Sequence, residues 1–171
     1  MSATYRVRQF IRAASTWVRP EGSNEIHDYL PPAAANLFQA MPHYDRQHAL
    51  NVFRTLQEQG YIEPELLTAA LLHDVGKTAH QAGALRLWHR VAVVLMHALW
   101  PGSLERIGQD RPGSWRRPFF VQQHHAAIGA DLAREASCSP RTVALIRRHE
   151  DPPGQTYDPL LAALQAADSV S

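Results

Sequence analysis

The sequence predicts an all-α protein, a single-domain bundle of roughly six to eight helices. Three observations lead there. Apolar residues recur at three- and four-residue spacing, no segment alternates like a strand, and proline, glycine and capping residues punctuate the chain at helix-length intervals. The length of 171 residues suits one compact domain, and 45% apolar with 19% charged content is that of a folded body rather than a disordered chain.

Each element has its own signal. Val7, Phe10, Ile11, Ala14 and Val18 share one face of a first helix, which Pro20-Glu21-Gly22 ends. A Pro31-Pro32 break precedes a short segment from Ala33 to Gln39. A stronger helix runs from about Asp45 to Gln59 with Ala49, Val52, Phe53 and Leu56 inward, and Gly60 is its stop. Pro64 suits a first-turn position, and EPELLTAALLHD reads as a helix apolar almost all round, the mark of a buried central element. Ala84 to Trp100 forms another apolar helix closed by Pro101-Gly102, and Gln109 to Pro118 reads as a polar loop. A further helix carries Ile128 to Ala136. Ser139-Pro140 and Asp158-Pro159 each pair a capping oxygen with a first-turn proline, opening the last two helices.

Composition narrows the function. A net charge of +1 gives no field to gather nucleic acid or to hold the protein strongly on anionic lipid, so a small substrate is expected. The single cysteine, Cys138, rules out an internal disulfide and a cysteine-rich zinc site and fits a reducing cytoplasm. The N-terminus carries scattered arginines rather than a signal-peptide core. The longest apolar stretch, Val91 to Trp100, includes His97 and is far shorter than the roughly 20 residues of a spanning helix. For the 85–100 helix, flanked by Trp88 and Trp100, three roles stay open: core, lid, or interfacial helix with peripheral membrane contact.

The chemistry-bearing residues stand out by context. His73-Asp74 follows directly on Leu66-Leu67-Thr68-Ala69-Ala70-Leu71-Leu72, and burying a carboxylate there is expensive unless a cation compensates it. Asp168 closes an alanine- and leucine-rich face in the same way, and His48 lies beside Ala49 and Val52. Imidazole and carboxylate without thiolate form the ligand set of Mn, Fe, Zn, Co or Mg. His125 and His149 are candidates for a second ion, so separate helices aim His48, His73, Asp74, His125, His149 and Asp168 at one point. Lys77, the single lysine among 17 basic residues, is either a helix-end charge or a catalyst. Glu150 and Arg148 read slightly better as helix-end residues than as substrate contacts, and for Arg147 both roles stay open. His27, His43, His80, His89 and His97 have no motif context.

The order and wording of these segments resemble the HD-domain phosphohydrolase superfamily, and within it the HD-GYP branch that cleaves cyclic dinucleotides. LLHDVGK, Leu71 to Lys77, is similar to the central motif and DRQHAL to the first-histidine segment. HHAAIGADL, His124 to Leu132, resembles the branch's later histidine segment, with His125 chosen over His124 by its register to Gly129. RRHED and AADSV resemble the paired-histidine and terminal aspartate segments, so the likeness covers roughly Asp45 to the C-terminus.

That resemblance implies an HD domain over residues 41–171, with residues 1–40 a helical segment packed on it. It implies one metal held by His48, His73, Asp74 and Asp168, and a second, bridged by Asp74, held by His125 and His149. Two divalent ions (Mn, Fe, Mg, Co or Zn) would activate water against a phosphoester of a nucleotide or other small phosphorylated molecule, with Asp74 and Lys77 as catalytic residues. The chain departs from the branch in carrying Arg148-His149 where two histidines stand, in lacking the Gly-Tyr-Pro signature, and in ending three residues past Asp168. Cyclic-dinucleotide cleavage therefore does not transfer with the resemblance, and the missing histidine argues against a third metal and leaves a two-metal or one-metal centre. Two alternatives use the same scaffold: a mixed-valent di-iron oxygenase, and a non-catalytic nucleotide-sensing or scaffolding domain.

Overall fold

The structure, a computed structural model, describes residues 26, 28–80, 117–152 and 157–171. The expected helices over Val7 to Val18 and Ala84 to Trp100 lie outside the described residues, as do His27, His89 and His97. Among the described residues there are six α-helices, one 3-10 helix and no strand. The helices are α1 (Pro32–Ala40), α2 (His43–Glu58), α3 (Pro64–Leu72), α4 (Arg117–Glu135), α5 (Pro140–Arg148) and α6 (Pro159–Val170), with the 3-10 helix Val75–His80 following α3. No described helix is long and apolar enough to cross a membrane.

Helix α3 explains the rest of the packing. Every residue from Leu66 to Leu72 is buried, because α3 lies against α1, α2, α5 and α6 and leaves no face to water. Helix α2 buries Ala49, Leu50, Val52, Phe53 and Leu56 on one stripe, and α6 buries Leu161, Ala163, Leu164 and Ala167. Ile26, Leu30, Ala34, Ala35 and Phe38 join the same core from the N-terminal side.

The expected ends are where local chemistry puts them, with two shifts. Gly60 takes φ +88°, which a residue with a Cβ rarely adopts, and Tyr61 N–H returns to the Leu56 carbonyl at 3.0 Å. Ser139 Oγ accepts from Thr142 N–H, and an Asp158 carboxylate oxygen accepts from Leu161 N–H. Helix α2 begins at His43, two residues before the expected Asp45, directly after Pro42. Helix α4 is the larger correction. It already runs from Arg117, so Arg117 and Pro118 belong to helix rather than loop, and His125 sits inside α4 instead of at its start. Proline lacks an N–H that the first helical turn leaves unbonded anyway, which is why Pro118 opens this helix rather than breaking it.

Candidate metal centre

The end of α3 is the hub of the site. The helix stops at Leu72, His73 caps it, and the 3-10 helix turns the chain away, leaving His73 and Asp74 buried side by side. Around them α2 brings His48, α4 brings His125, the end of α5 brings His149 and α6 brings Asp168. His48 Nε2 and Asp168 Oδ1 are 2.8 Å apart, and the same carboxylate oxygen is 3.5 Å from His73 Nε2. Asp74 turns one oxygen to each side. Its Oδ2 is 3.7 Å from His73 Nε2, while Oδ1 is 3.4 Å from His125 Nε2 and 3.9 Å from His149 Nε2. All six residues singled out in the sequence thus converge. Two overlapping groups result, His48 with His73 and Asp74, and Asp74 with His125 and His149, each with ligand atoms within 4.8 Å of one another.

Three of the imidazoles are oriented by the same device. The Nδ1–H of His73, His125 and His149 donates to the carbonyl three residues earlier, on Ala70, Gln122 and Ile146, at 2.9, 2.8 and 2.7 Å. That hydrogen bond fixes each ring and directs Nε2 inward, as the outer partner of a metal-binding histidine does. His73 Nε2 and His125 Nε2 are buried without a hydrogen-bond partner. A buried polar atom left so costs about 1–3 kcal/mol, and a divalent cation on each side of Asp74 would satisfy both. The donor set and the two inward nitrogens fit a metal.

Without an ion, protons and the Lys77 ammonium balance the buried carboxylates. Burial pushes the His73 imidazole down, but the carboxylates of Asp74 and Asp168 outweigh it and raise its pKa to about 9. Burial and the neighbouring His73 lower His149 to about 4, which keeps it neutral and able to coordinate. Burial opposes the charge on Asp74, yet the Lys77 ammonium and the His73 and His125 rings hold it well below the carboxylate range. Asp168 is held low in the same way, by the hydrogen bond from His48 and the nearby charge of the His73 ring. Lys77 Nζ donates to Asp74 Oδ2 at 2.6 Å, so the lysine is at the site rather than only a helix-end charge.

Other residues sort cleanly. His124 is exposed and stacks on Phe120, with ring centroids 4.3 Å apart, whereas its neighbour His125 is fully buried. Arg147 pairs with Asp131 and Arg148 with Asp151, as helix-end residues do. Glu150 departs from the preferred reading: its Oε1 stands 3.5 Å from His125 Nε2. An acid just past the C-terminal end of α5 is unfavourable against the helix dipole, but Arg147, Arg148 and Asp151 around it mask that local signal.

Packing explains the register of α4. A Cβ on Gly76 would lie 2.0 Å from the His125 carbonyl oxygen and 2.6 Å from Gly129 N. A Cβ on Gly129 would in turn lie 3.1 Å from Gly76 N. The two glycines let the 3-10 helix and α4 touch backbone to backbone, which brings His125 within reach of Asp74.

Comparison with curated proteins and with solved structures gives no match. A family model described as HD domain matches residues 46–171, the same stretch that carries His48 through Asp168. The match spans well over half of the sequence, and the chain belongs to the HD domain family.

Proposed function

We propose that this HD domain is a metal-dependent phosphohydrolase that cleaves a phosphoester of a nucleotide or other small phosphorylated molecule. The observation that carries the reading is Asp74: a buried carboxylate shared between two histidine groups, with inward imidazole nitrogens on both sides and Lys77 against it. In this reading His48, His73, Asp74 and Asp168 hold one divalent ion, and Asp74, His125 and His149 hold a second. Ions of the Mn, Fe, Mg, Co or Zn type supply positive charge to the phosphoryl oxygens and lower the pKa of water.

The chain's own groups do the remaining work. The Nδ1–H bonds to Ala70, Gln122 and Ile146 hold the rings in one tautomer, so no reorientation is needed during turnover. Lys77 Nζ, partly exposed beside Asp74, is available to pair with a phosphate oxygen or to give a proton to the leaving oxygen. A lone ammonium at this point favours a phosphoester over the substrate of a di-iron oxygenase. With a net charge of +1 the reading extends to a small substrate without nucleic acid, and the single cysteine supports a cytoplasmic setting.

The test is hydrolysis of a chromogenic phosphodiester and of a nucleotide panel with added Mn. Turnover is expected in the wild type and is lost in His73→Ala, with Lys77→Ala slowed about 10²–10³-fold. Undiminished turnover in a folded His73→Ala protein contradicts the reading. Oxygen uptake by iron-loaded protein moves the oxygenase ahead, and nucleotide binding without turnover across several metals favours a sensor.

A further inference from the structure

We propose that Glu150 is a further protein ligand of the ion held by Asp74, His125 and His149, an inference that rests on the metal reading above. His125 Nε2 is fully buried and has no hydrogen-bond partner, and its two carboxylate neighbours are Asp74 Oδ1 at 3.4 Å and Glu150 Oε1 at 3.5 Å. Ligands bonded at about 2.0–2.2 Å to one ion stand about 3.0–3.6 Å from each other, so each carboxylate oxygen stands at such a separation from His125 Nε2; Glu150 lies outside the set whose atoms are all within 4.8 Å of one another, and joining it takes a swing of its exposed side chain toward the rest of the group.

Charge points the same way. In the metal reading two divalent ions are met by two carboxylates among the described residues, Asp74 and Asp168, and Lys77 adds a further positive charge against Asp74. A third carboxylate on the side of the second ion reduces that excess while leaving positive charge for a phosphate. The backbone around Glu150 is also fixed. Gln165 Nε2 donates to the carbonyl of His149 at 3.1 Å and to that of Asp151 at 2.8 Å, clasping the chain on both sides of the glutamate from α6. Gln165 is thus a positioning residue. Glu150, its side chain 51% exposed, stands on the solvent side of the buried group Asp74, His125 and His149.

The experiment is titration of the full chain with Mn alone, followed by calorimetry and by electron paramagnetic resonance, for wild type, Glu150→Gln and Asp131→Asn. Asp131 is an equally exposed carboxylate paired with Arg147 and controls for loss of charge. Wild type is expected to bind two Mn with a coupled spin signal. Glu150→Gln keeps the first ion and binds the second about 10–100-fold more weakly, with the coupled signal lost at low Mn; Asp131→Asn matches wild type. Two ions at wild-type affinity in Glu150→Gln, or equal weakening in Asp131→Asn, overturns the assignment of Glu150 alone. Absence of any Mn binding by wild type overturns the metal reading itself.

Discussion

The two halves of the site are built differently. On one side His48 and Asp168 come from the middle of α2 and the end of α6, with side chains 20% and 34% exposed. On the other, Asp74, His125 and His149 are all buried and are held where the 3-10 helix, α4 and α5 close on one another. The open half depends on the side-chain contact of His48 with Asp168 between the packed helices α2 and α6. The closed half depends on backbone contact at Gly76 and Gly129. Substitutions on the open side should therefore cost metal and activity with little stability, whereas those on the closed side should cost both.

Asp74→Ala tests what joins the halves and carries the largest effect. Removing the shared carboxylate should abolish binding of both ions and lower turnover on the order of 10³-fold or more, checked by metal analysis and hydrolysis rates. Gly76→Ala comes next. The added Cβ meets the His125 carbonyl, so the 3-10 helix and α4 must part. Urea unfolding should show a loss of about 1–3 kcal/mol, and Mn binding should fall to one ion while the His48 side stays loaded. Loss of both ions with unchanged stability would erase the distinction between the halves.

Acidity sharpens the comparison at a smaller scale. In chelator-treated protein the raised pKa of His73, from 6.5 to about 9, means that the folded state binds more protons than the unfolded chain between those values. Its stabilising contribution is full below pH 6.5 and is lost as pH rises through about 9. The depressed pKa values of Asp74 and Asp168 act oppositely, giving stability that is present above the ordinary carboxylate range and lost in acid. Added Mn displaces the His73 proton, so metal stabilisation should grow across the window in which the chelated protein weakens; thermal melts at several pH values check this. Smallest of all, Gln165→Ala should loosen the backbone around Glu150 and weaken the second ion a few-fold, with little change in turnover at saturating Mn.

Legibility followed the distance over which each interaction acts. The caps at Ser139 and Asp158, the stop at Gly60 and the all-round burial of α3 are local chemistry, and the sequence carries them openly. His48, His73, Asp74 and Asp168 were readable because each puts a polar group where its helix is otherwise apolar, and His125 and His149 through the resemblance of the segments that carry them. The start of α4 was not, since proline at Pro118 signals a breaker and a first turn equally. Nor was the need for Gly76, which is set by the His125 backbone of a helix far along the chain. Glu150 sat among charged residues at a helix end, and only the arrival of α4 beside α5 gives its carboxylate a histidine to face.

The central claim is that the convergent histidines and aspartates hold divalent metal through Asp74. Elemental analysis of the purified protein, before and after anaerobic reconstitution and alongside Asp74→Ala, tests it most directly. The account predicts close to two equivalents of metal per chain in the wild type, following one ion at each side of Asp74, and loss of both in the variant. No metal under any condition, or equal loading in Asp74→Ala, would contradict it.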